Sequence, residues 1–304
     1  MIKMEYHSPV LLEECINGLS INPDGIYIDA TFGGGGHSKL ILSKLRNGKL
    51  FAFDQDLNSI DNELNSPKFK LINANFRFIK NFLKMEGVEK IDGILADLGI
   101  SSHQIDVPSR GFSTRFNGDL DMRMNVNSYL TAKDVVNNYS EENLSNLFFS
   151  YGELRNSKKI SSAIIDARKS AEITTTSELV YVVENLVPEK HRNKFLSKVF
   201  QSIRIEVNDE MSSLEEMLLS AQELLKVNGR LVVLSYHSLE DRLVKNLIRK
   251  GNFSSEVQKD FFGNPIRSLK EINKKVIVAS ASEIRINSRA RSAKLRIASK
   301  INDN

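Results

Sequence analysis

The chain has 304 residues, 41% hydrophobic and 26% charged, with a formal net charge of +4: a globular composition, long enough for one large domain or two small ones. Its single cysteine, Cys15, excludes an internal disulfide and a cysteine-rich zinc site, and the five scattered histidines lead us to expect no metal. No apolar run approaches about 18 residues, and Met1 to Glu14 lack the core of a signal peptide, so a soluble, cytoplasmic protein is expected.

His7-Ser-Pro-Val-Leu-Leu leads into a short amphipathic helix over Leu11 to Leu19, and Asn22-Pro-Asp-Gly25 is a turn. Ile26, Tyr27 and Ile28 then suit a buried strand, which runs into four consecutive glycines, Gly33 to Gly36. A helix pattern follows, with Leu40, Ile41, Leu42 and Leu45 apolar. Strand, glycine loop and helix start make a ligand crevice, because glycine lets a ligand approach the backbone and the helix start presents unpaired N–H groups. A second strand, Lys49 to Asp54, is followed by Asp56, which can start another helix. Lys70 to Asn73 forms a third strand, Asn75 caps a helix carrying Phe76, Ile79, Phe82 and Leu83, and Ile91 to Asp97 forms a fourth strand. Strands alternating with helices predict a parallel sheet covered on both faces, with ligands outside the carboxyl ends of its strands. Asp29, Asp54 and Asp97 all fall at such ends.

A glycine-rich turn alone does not choose the ligand, since dinucleotide-binding domains have one too. Asp29 sits badly beside a pyrophosphate and well beside a positively charged ligand such as S-adenosylmethionine. Asp54, 18 residues beyond Gly36, can accept both hydroxyls of a ribose. These features favour S-adenosylmethionine and leave a dinucleotide oxidoreductase as the alternative.

The pattern changes after Asp97. Leu98 to Gln104 is expected to be a loop, and Arg110 to Met124 is polar and turn-rich. From Thr131 to Val207 the chain predicts consecutive helices, including Ser157 to Arg168 and Ser177 to Leu186, with one starting at Ser140. An all-helical domain over 106–206 therefore interrupts a discontinuous α/β domain formed by 1–105 and 207–304. Met211 to Leu225 is amphipathic, Asn228-Gly229 turns, Arg230 to Tyr236 is a buried strand and Leu239 to Arg249 a helix. Val276 to Ala279 and Ala293 to Ala298 suggest a final antiparallel pair. Residues 265–304 hold ten Lys or Arg against three acids, a charge of +7 on a chain otherwise at −3. Such a stripe suggests a polyanionic partner or a solvated basic edge.

Six motifs in order resemble one family: Asp29-Ala-Thr-Phe-Gly-Gly-Gly-Gly-His37, Asp97-Leu-Gly-Ile-Ser-Ser102, Leu120-Asp-Met-Arg-Met124, Phe200 to Asn208, Ser235-Tyr-His-Ser-Leu-Glu-Asp-Arg242 and Arg289-Ala-Arg-Ser-Ala-Lys-Leu-Arg296. The family is ribosomal RNA small-subunit methyltransferase H, and the match runs from His7 almost to the C-terminus. It implies a Rossmann-like class I methyltransferase sheet with an inserted helical substrate-recognition domain. It also implies S-adenosylmethionine-dependent methylation of N4 of a cytidine in the decoding region of bacterial 16S rRNA, with naked rRNA or the small ribosomal subunit as partner and a monomer or homodimer as the working form. Carried over by motif, the cofactor contacts fall on Gly35, Gly36, His37, Asp54, Phe76, Asp97 and Gln104. Ser288 and Asp119 stand where the family usually has proline, outside that set.

Cytidine N4 is a poor nucleophile because its lone pair is delocalised, so the enzyme must align it, accept a proton and exclude water. The Asp97-Leu-Gly-Ile-Ser101 loop lacks the two prolines and the aromatic residue that many amino-group methyltransferases place there. Tyr236 is therefore expected to stack on the base and His237 to accept a hydrogen bond or a proton, with Ser101 a lesser candidate. Arg123 and Arg204, beside the insertion's junctions, are expected to hold the RNA backbone, or to pair with nearby acids such as Asp121 and Glu206. Arg289, Arg291 and Arg296 are the expected phosphate contacts of the basic tail. The insertion is expected to roof the crevice and recognise the target nucleotide.

Overall fold

The computed structural model describes residues 9–254 and 256–302; His7 and Ser8 of the N-terminal motif and Asp303 of the basic tail lie outside them. The chain divides into two compact units, Met1–Gly99 with Met211–Asn304, and Ile100–Glu210. The second unit begins six residues before, and ends four residues after, the span 106–206 suggested by the sequence pattern.

In the first unit, α1 (Leu12–Leu19) precedes β1 (Ile26–Asp29), α2 (Gly36–Lys44), β2 (Lys49–Asp54), β3 (Phe69–Asn73), α3 (Ile79–Met85) and β4 (Ile91–Asp97). These strands pair in parallel in the order β3-β2-β1-β4. Alternate residues of a strand face opposite sides of a sheet. Accordingly Phe51 and Phe53 of β2 join the core beneath α3, whereas Leu50 and Ala52 join the core that holds α1 and α2. Two expected helices are shorter than their patterns suggested. Asp56 caps a single 3₁₀ segment, Leu57–Asn62, by accepting from Asn58 N–H, and Asn75 caps the 3₁₀ turn Phe76–Phe78 that precedes α3.

The second unit holds α4 (Ser102–Asp106), α5 (Ala132–Asn138), α6 (Glu141–Ser150), α7 (Ser157–Arg168), α8 (Thr176–Val183) and α9 (Arg192–Asn208). Thr131 and Thr175 start α5 and α8 with reciprocal capping boxes, and Ser140 caps α6. Val135, Leu144, Phe148, Ile160, Leu179, Val199 and Ile203 fill a core of its own. The turn-rich stretch before α5 is tied down by two polar side chains. Arg110 Nη2 donates to the carbonyls of Arg123 and Met124, while Asn208 donates to Met122 O and accepts from Met124 N–H at 2.7 Å. The expected loop Leu98–Gln104 is in part helix: α4 forms because Ser101 and Gln104 cap its start.

The first unit resumes at Met211 within α10 (Glu210–Leu224) and continues through β5 (Leu225–Ser235), α11 (Ser238–Lys250), β6 (Leu269–Glu271), α12 (Ala281–Ile286) and β7 (Lys294–Lys300), completing a seven-stranded sheet in the order β3-β2-β1-β4-β5-β7-β6. β5 is parallel to β4, and β7 is antiparallel to both β5 and β6. Two expectations change here. Asn228-Gly229 is not a turn before the strand but an irregularity within β5: Asn228 adopts φ 69°, and the register against β4 shifts between Ile91 and Gly93. Val276–Ala279 does not form a strand with β7; only an isolated bridge joins Ile277 to Leu295, and β6 is the antiparallel edge. Among the described residues no helix is long and apolar enough to cross a membrane.

Candidate active site

β1, β2 and β4 lie side by side and each ends in an acid, Asp29, Asp54 and Asp97. With β1 between strands that run on in opposite directions of the order, their carboxyl ends form the switch point at which open α/β sheets bind ligands. The three acids do different things there.

Asp29 faces its own loop. It is 1% exposed; Oδ2 accepts from Ser38 Oγ at 2.7 Å and Oδ1 from Thr31 N–H at 3.1 Å. Burial raises its pKa, against the lowering effects of His37 and these hydrogen bonds. This corrects the expectation that Asp29 meets a ligand's positive charge: its carboxylate fixes the start of the glycine turn. Asp54 holds the other end of that turn. Oδ2 accepts from Gly33 N–H at 2.8 Å and Oδ1 from Asp56 N–H at 2.9 Å. Burial pushes its carboxyl up to about 6, with only those two N–H bonds opposing it. A carboxylate offers roughly four lone-pair sites. Two are taken here, and a pair of ribose hydroxyls matches the other two. Asp97 accepts from Tyr236 Oη at 2.7 Å through Oδ1, and its Oδ2 lies 3.9 Å from His37 Nδ1. Its backbone N–H donates to Thr31 Oγ1 at 2.6 Å. Burial again raises the acid, while His37 and the Tyr236 hydrogen bond oppose the rise.

The glycines divide as well. Gly33 has φ 51°, and a side chain there would meet nothing within 4 Å, so the space beside it is open to a ligand. Gly35, at φ 73°, is glycine for conformational and packing reasons, since a Cβ would lie 2.9 Å from the Phe32 ring. A Cβ on Gly36 would lie 2.2 Å from Pro9 Cγ. Close packing of the chain's own residues, not only room for a ligand, thus requires these two. His37 is 6% exposed, and its Nε2 donates to Val10 O at 3.2 Å, which turns Nδ1 toward Asp97. Phe76 is half-buried in the first turn after β3, packed against the core.

After β5, Tyr236 and His237 are held by Glu240, whose Oε2 accepts from both backbone N–H groups at 2.8 and 3.2 Å. His237 caps α11: its Nδ1 accepts from Glu240 N–H at 3.4 Å. The ring is 9% exposed, and its Nε2 lies 3.1 Å from Glu240 Oε1 without the geometry of a hydrogen bond. Tyr236 is committed through its hydroxyl to Asp97, and burial together with that charge drives the phenol far above its ordinary value. A Cβ on Gly99, at φ 94°, would lie 3.6 Å from the Tyr236 ring.

In the second unit, Ser101 Oγ accepts from Gln104 N–H at 3.2 Å and Gln104 Oε1 from Ser101 N–H at 3.0 Å. Arg123 grips Asp121 through Nε and Nη2 at 2.9 and 2.7 Å and donates through Nη1 to Ser128 O. Arg204 grips Glu210, not Glu206, at 2.7 and 3.0 Å. Both guanidiniums are thus engaged inside the unit, as the alternative of pairing with nearby acids required. In the basic tail, Arg296 is 13% exposed and donates to Asp241 Oδ1 at 2.7 Å, so it docks on the chain itself. Lys294 lies 3.4 Å from the same carboxylate, and Lys300 is buried against Gln222 O. Arg291 is exposed and Arg289 half-buried.

Thr31 was not singled out from the sequence, although it lies within the glycine-loop motif. It joins the loop to β4 through Asp97 N–H, a tertiary contact without a local signal. Glu240, which positions Tyr236 and His237, lies within the Ser235–Arg242 motif, and its structural role follows from a capping box beginning at an unusual cap, histidine.

The model of the MraW methylase family matches residues 4–301. The ribosomal RNA small subunit methyltransferase H of Flavobacterium johnsoniae is 56% identical over 299 residues, covering 98% of this chain and 99% of that protein. The proteins of the same name from Bacteroides thetaiotaomicron and Amoebophilus asiaticus are 52% and 54% identical, covering 98% and 96% of this chain and 98% and 95% of their own. With identity above one half from end to end, and a family model that spans both units, the chain belongs to the MraW methylase family.

Proposed function

We propose that the chain transfers a methyl group from S-adenosylmethionine to N4 of a cytidine in the decoding region of bacterial 16S rRNA. The observation that carries this reading is Asp54: a half-buried acid at the end of β2, raised to about 6, beside the open space at Gly33. That acceptor fits a ribose better than a phosphate, because an anion would be repelled where neutral hydroxyls can donate. S-adenosylmethionine, when bound, supplies an electrophilic methyl group on a sulfonium.

The chain's own residues supply binding and alignment, and the proton displaced from N4 passes to water after transfer. Asp54 accepts from the ribose, and Phe76 offers a ring at the head of the segment after β3 for the adenine. Gly35, Gly36, His37 and Asp97 hold the amino-acid end, with Gln104 assigned to the same set by the family motif. Tyr236 keeps Asp97 oriented. Asp97 and Tyr236 form the edge against which the cytidine amine is aligned, and alignment alone is worth roughly 7–11 kcal/mol of barrier. His237, spent on capping α11, favours a positioning part over the proton-accepting part suggested by the sequence, and Ser101 likewise holds the start of α4. The helical unit is assigned to recognition of the nucleotide and its flanks, since unpaired RNA bases must be splayed out to be modified. Exposed cations of the basic tail add phosphate contacts. A ribosomal substrate places the protein in the cytoplasm.

Mass spectrometry of 16S rRNA fragments, from cells with and without the gene, tests the reading. N4-methylation of one cytidine is expected to vanish with the gene and return with a plasmid copy. An unchanged modification pattern would overturn it.

A further inference from the structure

Between α11 and β6 the first unit projects a small hairpin. Lys259 bridges to Pro265, Ile266 N–H donates to Gln258 O at 2.9 Å, and Asp260 N–H donates to Asn264 O at 2.9 Å. Its loop is Phe261-Phe262-Gly263, with Gly263 at φ 83° and its N–H donating to Asp260 O. A three-residue loop ending in a left-handed glycine, entered through aspartate, is a built turn. The Asp260 carboxylate locks it by accepting from Phe262 N–H, Asn264 N–H and the Asn264 side chain at 2.8 to 3.2 Å, which hold this acid below its ordinary range.

The turn chemistry accounts for Asp260, Gly263 and Asn264 but not for two phenylalanines at the tip. Phe261 is 98% exposed and Phe262 84%. Their rings stand edge to face, with centroids 5.6 Å apart. The hydrogen-bonded turn thus holds two aromatic rings away from any core. Its electrostatic setting is basic. The stretch Lys250–Lys275 carries six cations and three acids. Of the acids, Asp260 is turned into its loop, Glu271 pairs with Arg249 at 2.6 Å, and Glu256 is exposed. Lys259 on the stem and Lys270, Lys274 and Lys275 beyond it are exposed.

Exposed aromatic rings among exposed cations are the chemistry by which proteins hold single-stranded nucleic acid. The cations track the phosphates, and the rings stack on bases whatever the sequence. We infer that the Phe261-Phe262 hairpin is a second RNA contact, a platform on which unpaired bases of the RNA substrate stack. The inference rests on the RNA-methylating reading above and adds to it a contact outside the cofactor-binding residues.

The test uses the full chain and a fluorescein-labelled single-stranded RNA oligonucleotide, alone or annealed to its complement. Phe261→Ala with Phe262→Ala should weaken binding of the single strand roughly 5- to 150-fold for one stacked base, and leave duplex binding and cofactor affinity unchanged. The residues touch no core, so the melting temperature should not move. The chain has no tryptophan. Phe261→Trp therefore installs the chain's one tryptophan at the tip, and saturating unlabelled single-stranded RNA should quench its selectively excited emission. Unaltered single-strand affinity in the double variant, or an unquenched Trp, would overturn the inference. If the Trp responds instead to protein concentration or to anionic vesicles, the tip meets a second copy or a membrane, and the RNA assignment falls. A parent protein that methylates rRNA, beside a double variant that binds the single strand equally well, removes only this inference. A parent that does not methylate rRNA removes the underlying function.

Discussion

The Tyr236 hydroxyl donates a 2.7 Å hydrogen bond to Oδ1 of Asp97, joining the segment after β5 to the end of its parallel neighbour β4. Burial raises Asp97, and this bond and His37 are what hold the rise in check. The phenol itself is raised far above its ordinary value and so remains a donor throughout the working range. Tyr236→Phe should therefore raise the Asp97 pKa further. The acid limb of kcat/KM for methyl transfer should move to higher pH, and the rate should fall by about 1.5–3 kcal/mol in transition-state terms if Asp97 must be charged. A pH–rate profile superimposable on the parent's would show that Asp97 is oriented by other groups.

The first part of the sheet was legible because β1, β2 and β4 are short, mostly apolar runs closed by an acid. The bounds Lys49–Asp54 and Ile91–Asp97 coincide with the sequence pattern, since both strands are buried over most of their length and the terminal acid marks the exit. What was illegible has a nonlocal cause. β6 is three residues long and is a strand only because β7 lies beside it, whereas the more apolar Val276–Ala279 makes a single bridge. Asn228-Gly229 carries the chemistry of a turn, and the fold uses that freedom for an irregularity in β5 instead. Of the candidate site, the positions of Asp54 and Asp97 followed from the strand pattern. The inward role of Asp29 and the docking of Arg296 depended on Ser38 and Asp241, partners at sequence distances that no local pattern encodes.

Asp54 gives a pH dependence with a definite sign. Its folded value, about 6, lies above the ordinary 3.8, so the protonated form suits the ligand-free fold. Its contribution to stability is present below pH ~4 and is lost as the pH rises through about 6. A ribose donating two hydroxyls requires the ionised form. Cofactor affinity should therefore fall by about tenfold per pH unit below ~6, and binding near that pH should release a proton. Calorimetry in buffers of different ionisation enthalpy reads both. Asp54→Asn should remove the component centred near pH 6 and weaken binding by about 1.5–3 kcal/mol. An affinity that is flat across this range would remove Asp54 from the ribose.

The basic tail separates into charges that bind the chain and charges that face solvent. Arg296 and Lys294 offset the burial of Asp241, holding that acid below its ordinary value despite desolvation. Arg296→Gln should act on the fold, lowering stability by about 1–3 kcal/mol with little change in the salt dependence of RNA binding. The triple change Arg291→Gln, Lys274→Gln and Lys275→Gln removes exposed cations. It should leave the melting temperature in place and flatten log K against log salt by about 0.7 for each lost contact with single-stranded RNA. Equal salt slopes in the parent and the triple variant would mark these cations as a solvated edge.

Ser101 and Gln104 carry two separable expectations, one structural and one for the cofactor. Their reciprocal hydrogen bonds start α4, and loss of a cap of this kind typically costs about 0.5–2 kcal/mol. Ser101→Ala should reduce stability by that order while sparing any contact made by the Gln104 side-chain amide. Gln104→Glu keeps an acceptor for Ser101 N–H and adds a negative charge at a helix start, but Gln104 is 5% exposed, so burial of that charge should lower the melting temperature somewhat. The same change replaces the NH₂ group with a second acceptor. If Gln104 donates to the cofactor, as the family motif assigns, Gln104→Glu should weaken S-adenosylmethionine binding well beyond what Ser101→Ala does, whereas Ser101→Ala should lower the melting temperature at nearly unchanged affinity. Thermal melts and calorimetry on the two variants decide it. Full cofactor affinity in Gln104→Glu would leave Gln104 as a capping residue alone.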